Sequence, residues 1–284
     1  MTFTLPSEHE SRILIQGVEI ALGFPDEFNF KWIGQQDVMD QLLASWLVID
    51  KDDIPLNPRL IGKPGVGKTT LAYAAAKRLN KQVYIFQCTM DTRPEDLLIT
   101  PVVDTSGGIR YVASALVTAM IRGGVCILDE ANRMSEKSWA SLAPLLDTRR
   151  YIESIVAGLK VSAHPEFRIC VTMNDDSSTF EIPEYIHSRL QPQIYLDFPE
   201  AEEEKRILRE NLPFIDQYIV DYVITFLQKA HMNNENYTIR DGINIARYAA
   251  KRLKFFNGNK THIDSLLRQA IVMTLGEEAS SHLV

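Results

Sequence analysis

Three cysteines in 284 residues, none in a CxxC pair, leave no disulfide framework and none of the common zinc-ribbon spacings. Each (Cys88, Cys126, Cys170) falls in a β-rich apolar run, where a thiol reads as a small buried hydrophobe. Long hydrophobic runs are missing too. The most apolar stretch, residues 112–121, is far too short to cross a bilayer and is bracketed by Arg110 and Arg122. MTFTLPSEHESRIL has no basic region followed by an apolar core, so the expectation is a cytoplasmic protein with no secretory leader and no membrane partner. Basic charge is in deficit: 30 Lys+Arg against 37 Asp+Glu give a net charge of −7. That balance argues against bulk electrostatic binding to duplex nucleic acid or anionic lipid. No low-complexity tract or repeat of about 20–50 residues stands out, which argues against a solenoid. What remains is an ordinary globular composition, 45% apolar and 24% charged, with chain enough for two domains.

Short β-rich runs alternate with helical patterns over the first two thirds. The runs are PRLIG (58–62), QVYIFQC (82–88), GVCILDE (124–130), FRICVTM (167–173) and QIYLDF (193–198). They are nearly continuous in apolar residues, as parallel strands buried on both faces should be. KTTLAYAAAKRLN and SEKSWASLAPLLDT between them predict helices. Strand–helix alternation of this kind predicts an α/β fold, a parallel sheet flanked by helices. After Pro199 the strand signals stop and four amphipathic helical stretches follow, two with capping-box starts, Thr238-x-x-Asp241 and Thr261-x-x-Asp264. The expected organisation is an N-terminal segment (1–28), an α/β domain (29–199) and a small all-helical domain (200–284).

Residues 62–69 read GKPGVGKT, after an apolar run and at the start of a helix, which is the phosphate-loop pattern in its proper context. Gly62, Gly65 and Gly67 would let consecutive N–H groups face an anion, and the helix beginning at Lys68 would add its positive end. The expected nucleotide contacts are Gly62, Lys63, Pro64, Gly65, Val66, Gly67, Lys68, Thr69 and Thr70. Lys68 would reach the β- and γ-phosphates of ATP, and Thr69 would offer its hydroxyl to Mg2+. Further on, VCILDEANR ends a strand in two carboxylates. Asp129 would hold the metal, while Glu130 would act as general base on the attacking water. FRICVTMND places Asn174 at the next strand end, where a neutral amide could orient that water without competing for Mg2+. Alone, such an Asn would read as a turn former.

These motifs, in this order, resemble an AAA+ ATPase, with GKPGVGKT as Walker A, VCILDE as Walker B and Asn174 as sensor 1. The tract from GGIRYVASALVTAMIRGG to LLDTRRYIE is similar to the MoxR-like branch (dynein-related AAA ATPases), which carries an insert before Walker B and then a long helix. YIESIVAGLKVSAHPEF resembles the β-hairpin that such proteins place before sensor 1, and SRLQPQIYLDFPEAEEEKRIL the passage into their helical lid. The resemblance implies an ATP- and Mg2+-dependent enzyme acting as a homo-oligomeric ring, with a hexamer as the expected size. It implies that Gly34, in WIGQQ, lies in the segment that wraps adenine, with Trp32 and Ile33 beside it. Arg240 matches the lid arginine, sensor 2. Arg189, in HSRL, stands where relatives carry an arginine finger that reaches the neighbouring subunit's ATP, and Arg149 or Arg150 could supply a second interface cation. The alternative for Arg189 is a surface ion pair with Glu184 or Glu181. The implied function is remodelling or maturation of a protein partner complex, in a chaperone-like role beside a von Willebrand A type protein. Residues 107–108 and the hairpin at 150–166 would face the client. A nucleic-acid motor or loader and a non-hydrolysing nucleotide switch are the alternatives. The acidic balance counts against the first and the intact Lys68, Thr69, Asp129, Glu130 and Asn174 set against the second.

Overall fold

The fold is given by a computed structural model, which describes residues 12–28, 31–103, 107–175, 181–233, 235–255 and 263–282. Contacts divide them into two units. One comprises the described residues of 1–32, 36–62 and 68–196; the other comprises 33–35, 63–67 and 197–284.

In chain order the first unit holds β1 (Arg12–Ile15), β2 (Val18–Ala21), α1 (Gln36–Trp46), β3 (Arg59–Gly62), α2 (Lys68–Arg78), β4 (Val83–Gln87), α3 (Pro94–Leu97), β5 (Ile99–Val103) and β6 (Ile109–Ala113). It continues with α4 (Ala115–Arg122), β7 (Val125–Asp129), α5 (Glu136–Leu142), β8 (Tyr151–Ser154), β9 (Leu159–Ser162), β10 (Arg168–Asn174), α6 (Glu184–His187) and β11 (Gln193–Tyr195). The five expected strands form one sheet in the order β11-β3-β10-β7-β4, every pair parallel. Their apolar runs fit that position, since all seven residues of β10 and the first four of β7 are buried. Register then levels the strand ends. Asn174 pairs with Gly62, and Val171 with Leu128, so Thr172 stands opposite Asp129.

Helices close the faces where their small or apolar residues allow. Ala72, Ala75, Ala76 and Leu71 bury one side of α2, and Leu116, Val117, Ala119 and Met120 bury that of α4. The Ser114 hydroxyl caps α4 by accepting from the Val117 N–H at 3.1 Å. A reciprocal pair fastens the end of α1 to the start of β10: the Trp46 indole donates to Ile169 O at 3.0 Å, and Arg168 Nε donates to Trp46 O at 2.7 Å. Trp46 and Trp139 are both core residues, and the three cysteines are free and buried.

Three features differ from expectation. A second sheet, β1-β2-β6-β5, joins the hairpin at 12–21 to the hairpin at 99–113 through a parallel β2–β6 pair. Described residues 12–28, expected in an N-terminal segment, thus group with the α/β unit. The long helix after Walker B is short: α5 stops at Leu142, two residues before Pro144, whose ring and missing N–H end the ladder. Gly62 ends β3 in strand geometry, so the left-handed backbone in the phosphate loop belongs to Gly65 (φ 80°) and Gly67 (φ 97°) alone. The expected hairpin before sensor 1 is present as β8–β9.

The second unit holds α7 (Ala201–Asn211), α8 (Gln217–Met232), α9 (Ile239–Phe255) and α10 (Ile263–Leu275) around Leu208, Phe226, Leu227, Ala246, Leu267 and Ala270. Gly242 lets α8 approach α9 closely, because a Cβ there would lie 2.7 Å from Leu227 Cδ1. The capping box at α9 forms as expected: Thr238 N donates to Asp241 Oδ2 at 2.8 Å, and Asp241 N to Thr238 Oγ1 at 3.3 Å. Thr261 lies outside the described residues, so its box is not assigned.

Glu204 on α7 is fully buried, with Gln228 Nε2 donating to Oε2 at 2.7 Å and no hydrogen-bond partner at Oε1 among the described residues. Burial pushes its carboxyl up from an ordinary 4.5 to about 7. A raised folded pKa favours the protonated form, so its contribution to stability is complete below about pH 4.5 and is lost as pH rises through 7. The full shift corresponds to roughly 3 kcal/mol. Urea unfolding of the helical unit should therefore move to lower midpoint between pH 5 and pH 8. Glu204→Gln should flatten that dependence, and an unchanged slope in the variant would refute the assignment.

Candidate nucleotide site

Residues 63–67 connect β3 to α2, and the positive φ values of Gly65 and Gly67 curl this loop in a way that a Cβ would oppose. Val66 is buried and anchors the loop, whereas Pro64 is exposed. Lys68, 6% exposed, opens α2 and donates from Nζ to Gly62 O at 2.8 Å, so its ammonium spans the loop. Lys63 Nζ lies 4.9 Å from the centre of the Phe198 ring. Thr70, half-buried, sits in the first turn of α2. Gly34 lies in a bend ahead of α1, and the neighbouring Trp32 carries a buried indole N–H without a hydrogen-bond partner among the described residues.

Beside the start of α2, Thr69 Oγ1 donates to Asp129 Oδ1 at 2.7 Å. This contact puts the hydroxyl and the carboxylate close enough to serve one hard cation, and both are oxygen donors suited to Mg2+. The residues present therefore fit a magnesium nucleotide. Glu130 follows Asp129 but leaves the strand at once, with φ 53° and ψ 42°. A left-handed conformation costs an L-residue about 1–2 kcal/mol. Here it takes Glu130 out of the strand's alternation directly after Asp129. Two hydrogen bonds hold the turn: Glu130 N donates to Thr172 Oγ1 at 3.0 Å, and Arg133 N donates to Glu130 O at 3.0 Å.

The Glu130 carboxylate is engaged on both oxygens. Asn174 Nδ2 donates to Oε1 at 3.2 Å, and Arg133 Nε forms an ion pair with Oε2 at 2.6 Å, off hydrogen-bond alignment. Asn132, buried, donates from Nδ2 to Asn174 O at 2.8 Å and so fixes the backbone that carries the sensor amide. Glu130 and Asn174 thus meet in the structure.

Arg189 follows α6 and is half-buried. Its ion-pair partner is neither Glu184 nor Glu181 but Asp147, with Nε 3.5 Å from Oδ2. It also donates from Nη1 to Tyr185 O and stacks on the Tyr185 ring. Asp147 is shared with Arg149, which donates to it in bidentate fashion (Nε–Oδ1 3.0 Å, Nη2–Oδ2 2.7 Å), and these bonds hold its carboxyl down at about 2. Asn57 ties the two segments together, donating from Nδ2 to both Leu146 O (2.9 Å) and Arg189 O (3.0 Å). Arg59, buried, donates to His187 Nδ1 at 2.8 Å. Arg150 departs from expectation: it turns inward, donates to Phe167 O at 2.9 Å and is pulled below its ordinary pKa by burial. Of the two candidates for a second surface cation, only Arg149 is exposed. Arg240 is exposed in the first turn of α9. Within that same unit, a Cβ on Gly65 would meet Thr238 at 2.8 Å, which places the capped start of α9 against the phosphate loop.

Residues 59–190, which carry both strand ends and the loop between them, match the AAA domain of the dynein-related subfamily. Over that segment the chain is similar to AAA domains. Its relatives are distant. An uncharacterized protein of Staphylococcus epidermidis is 25% identical over 175 residues, 60% of this chain and 66% of the relative's length. One from Staphylococcus aureus (strain NCTC 8325) is 25% identical over 179 residues, covering 61% and 68%. Among solved structures, the RuvB Holliday junction branch migration motor of Thermotoga maritima aligns with 87% of this chain and 72% of its own at a TM-score of 0.59 and 18% identity. A candidate ATPase of Cytophaga hutchinsonii aligns over 84% and 81% at a TM-score of 0.51 and 18% identity. At these identities the structural likeness establishes the AAA+ fold: a parallel α/β P-loop sheet with flanking helices and a C-terminal helical region.

Thr172, Asn132, Arg133, Asn57 and Asp147 hold the residues of this candidate site and were not singled out in the sequence. ANR directly after the Walker B carboxylates was the available signal for two of them. Thr172 had none, because a β-branched residue inside a core strand is ordinary filler. Lys68→Ala should lower affinity for a fluorescent ATP analogue by at least about 100-fold, two decades or roughly 2.7 kcal/mol. The melting temperature should change little, and a loss under threefold would remove Lys68 from the phosphate site.

Proposed function

We propose that the protein is a Mg2+-dependent ATPase that works as a homo-oligomeric ring, with a hexamer as the expected size. The observation that carries this reading is the meeting of Glu130 with Asn174 beside Asp129 and Thr69. Bound Mg2+ would supply charge neutralisation at the phosphates, held by Thr69 and Asp129. Glu130, released from Arg133, would take the proton of the attacking water at a carboxylate oxygen, and Asn174 would orient that water. Lys68 would hold the β- and γ-phosphates, with Arg240 on the lid as a second cation. Gly34 with Trp32 and Ile33 would flank the base. In this reading 29–199 is the nucleotide-binding domain and 200–284 the lid.

Arg189 would serve the ATP of a neighbouring subunit. Developing charge on the γ-phosphoryl oxygens calls for a planar guanidinium, and such a finger supplies about 10³–10⁵ in rate in phosphoryl-transfer systems. The ring would act in the cytoplasm to remodel or mature a protein complex, in the MoxR-like manner, with a von Willebrand A type protein as the partner class. A net charge of −7 supports a protein client over nucleic acid.

Glu130→Gln should keep ATP binding and lose at least about 100-fold in turnover, the usual scale for a general base. Turnover near the wild-type rate would reassign the base. The same variant, loaded with ATP, is the trap for identifying a bound client. Stimulation of the wild-type ATPase by branched or single-stranded DNA would favour the motor reading instead.

Turnover per subunit should rise with protein concentration as rings assemble. Arg189→Ala subunits mixed with Lys68→Ala subunits should regain activity that neither shows alone. A monomer that hydrolyses at full rate, or confirmed mixed rings without rescue, would overturn the finger assignment.

A further inference from the structure

Thr172 sits in the middle strand of the sheet, fully buried, with a single hydroxyl that reaches two functional groups. Its Oγ1 donates to Asp129 Oδ1 at 2.5 Å and accepts the Glu130 N–H at 3.0 Å. A hydroxyl has one proton to donate, and here it is shared with Asp129; one of its two lone pairs accepts from the amide of the next residue. The two bonds have different objects. The first sets the rotamer of the carboxylate that would hold the metal, and the second pins the left-handed backbone that aims Glu130.

We infer that Thr172 is the positioning residue that fixes Asp129 and Glu130 relative to each other, so that one hydroxyl couples the metal side of the site to the water side. The inference rests on the proposed roles of those two carboxylates. Valine has the same shape as threonine but can do neither job: Asp129 would lose a donor and Glu130 N its acceptor. Serine would keep both bonds and lose only a methyl group. Neither change touches the phosphate loop, so the effect belongs to metal use and to turnover, not to phosphate binding.

The test compares Thr172→Val, Thr172→Ser and Thr172→Ala with the full-length wild type. Melting temperature shows which variants fold, and the alanine variant repeats the measurement where valine disturbs packing. With a fluorescent, non-hydrolysable ATP analogue in EDTA, all folded variants should bind within threefold of the wild type. Titrating Mg2+ into that complex should require at least about tenfold more metal for the valine variant. Its kcat should fall about 100-fold with KM within threefold, and the serine variant should stay within threefold on every measure. A folded valine or alanine variant with wild-type Mg2+ response and kcat overturns the inference, as does a folded serine variant as impaired as valine. Asp129→Asn and Glu130→Gln are run alongside. If those retain full turnover, the proposed function fails; if they lose it while Thr172→Val does not, only the role of Thr172 fails.

Discussion

The ladder between β7 and β10 is the constraint on which the rest of the site depends. In a parallel pair the hydrogen bonds set register along the whole strand, and a slip of one residue would turn every side chain to the opposite face. With Val171 opposite Leu128, Thr172 falls level with Asp129, and Asn174 extends just past it toward Glu130. The pairing of β10 with β3 adds the third edge, bringing Gly62 level with Asn174. The end of β3, the Asp129 carboxylate and the Asn174 amide then meet at one end of the sheet, where ligands of open α/β sheets bind. The geometry of the candidate site is thus inherited from backbone hydrogen bonds spread over three strands.

At that edge the chain accepts local cost for direction. Two adjacent carboxylates on a continuous strand would alternate to opposite faces or repel one another. The left-handed turn at Glu130 separates them by backbone geometry, and the short 3-10 turn at Ala131–Arg133 then returns Arg133 to the Glu130 side chain. The pairing leaves the carboxylate occupied until something takes its place. A comparable economy appears at Asp147, where one carboxylate holds two arginines that would otherwise repel, one of them the candidate finger.

The parallel sheet and the helical region were legible because both depend on strong local patterns: continuous apolar runs bounded by turn residues, and amphipathic periods after Pro199. The place of Asp129, Glu130 and Asn174 at strand ends was legible because each closes a continuous apolar run. The second sheet was not read. RILI and VEIA are only four residues each, and their partner strand lies far along the chain, so no local window contains the pairing. The hairpin itself left a trace in Gln16–Gly17, a two-residue link with both φ values positive, as tight hairpin turns require. Asp147 as the partner of Arg189 was equally invisible, since it is brought there by Asn57, a buried amide on a third segment. Side chains that act by holding others carry no compositional signal.

The strand order has a consequence for how the chain is made. β3 is an early sheet strand in the chain, yet its two neighbours, β10 and β11, are among the last. β4, made next, pairs among the described residues only with β7. A growing polypeptide therefore carries the phosphate-loop strand, with open backbone donors and acceptors on both edges, for about a hundred residues before β10 emerges, and non-local pairing of this kind is slow and exposed to aggregation. The sheet edge that carries Gly62 and Asp129 is continuous only once β10 has been made and lies between β3 and β7.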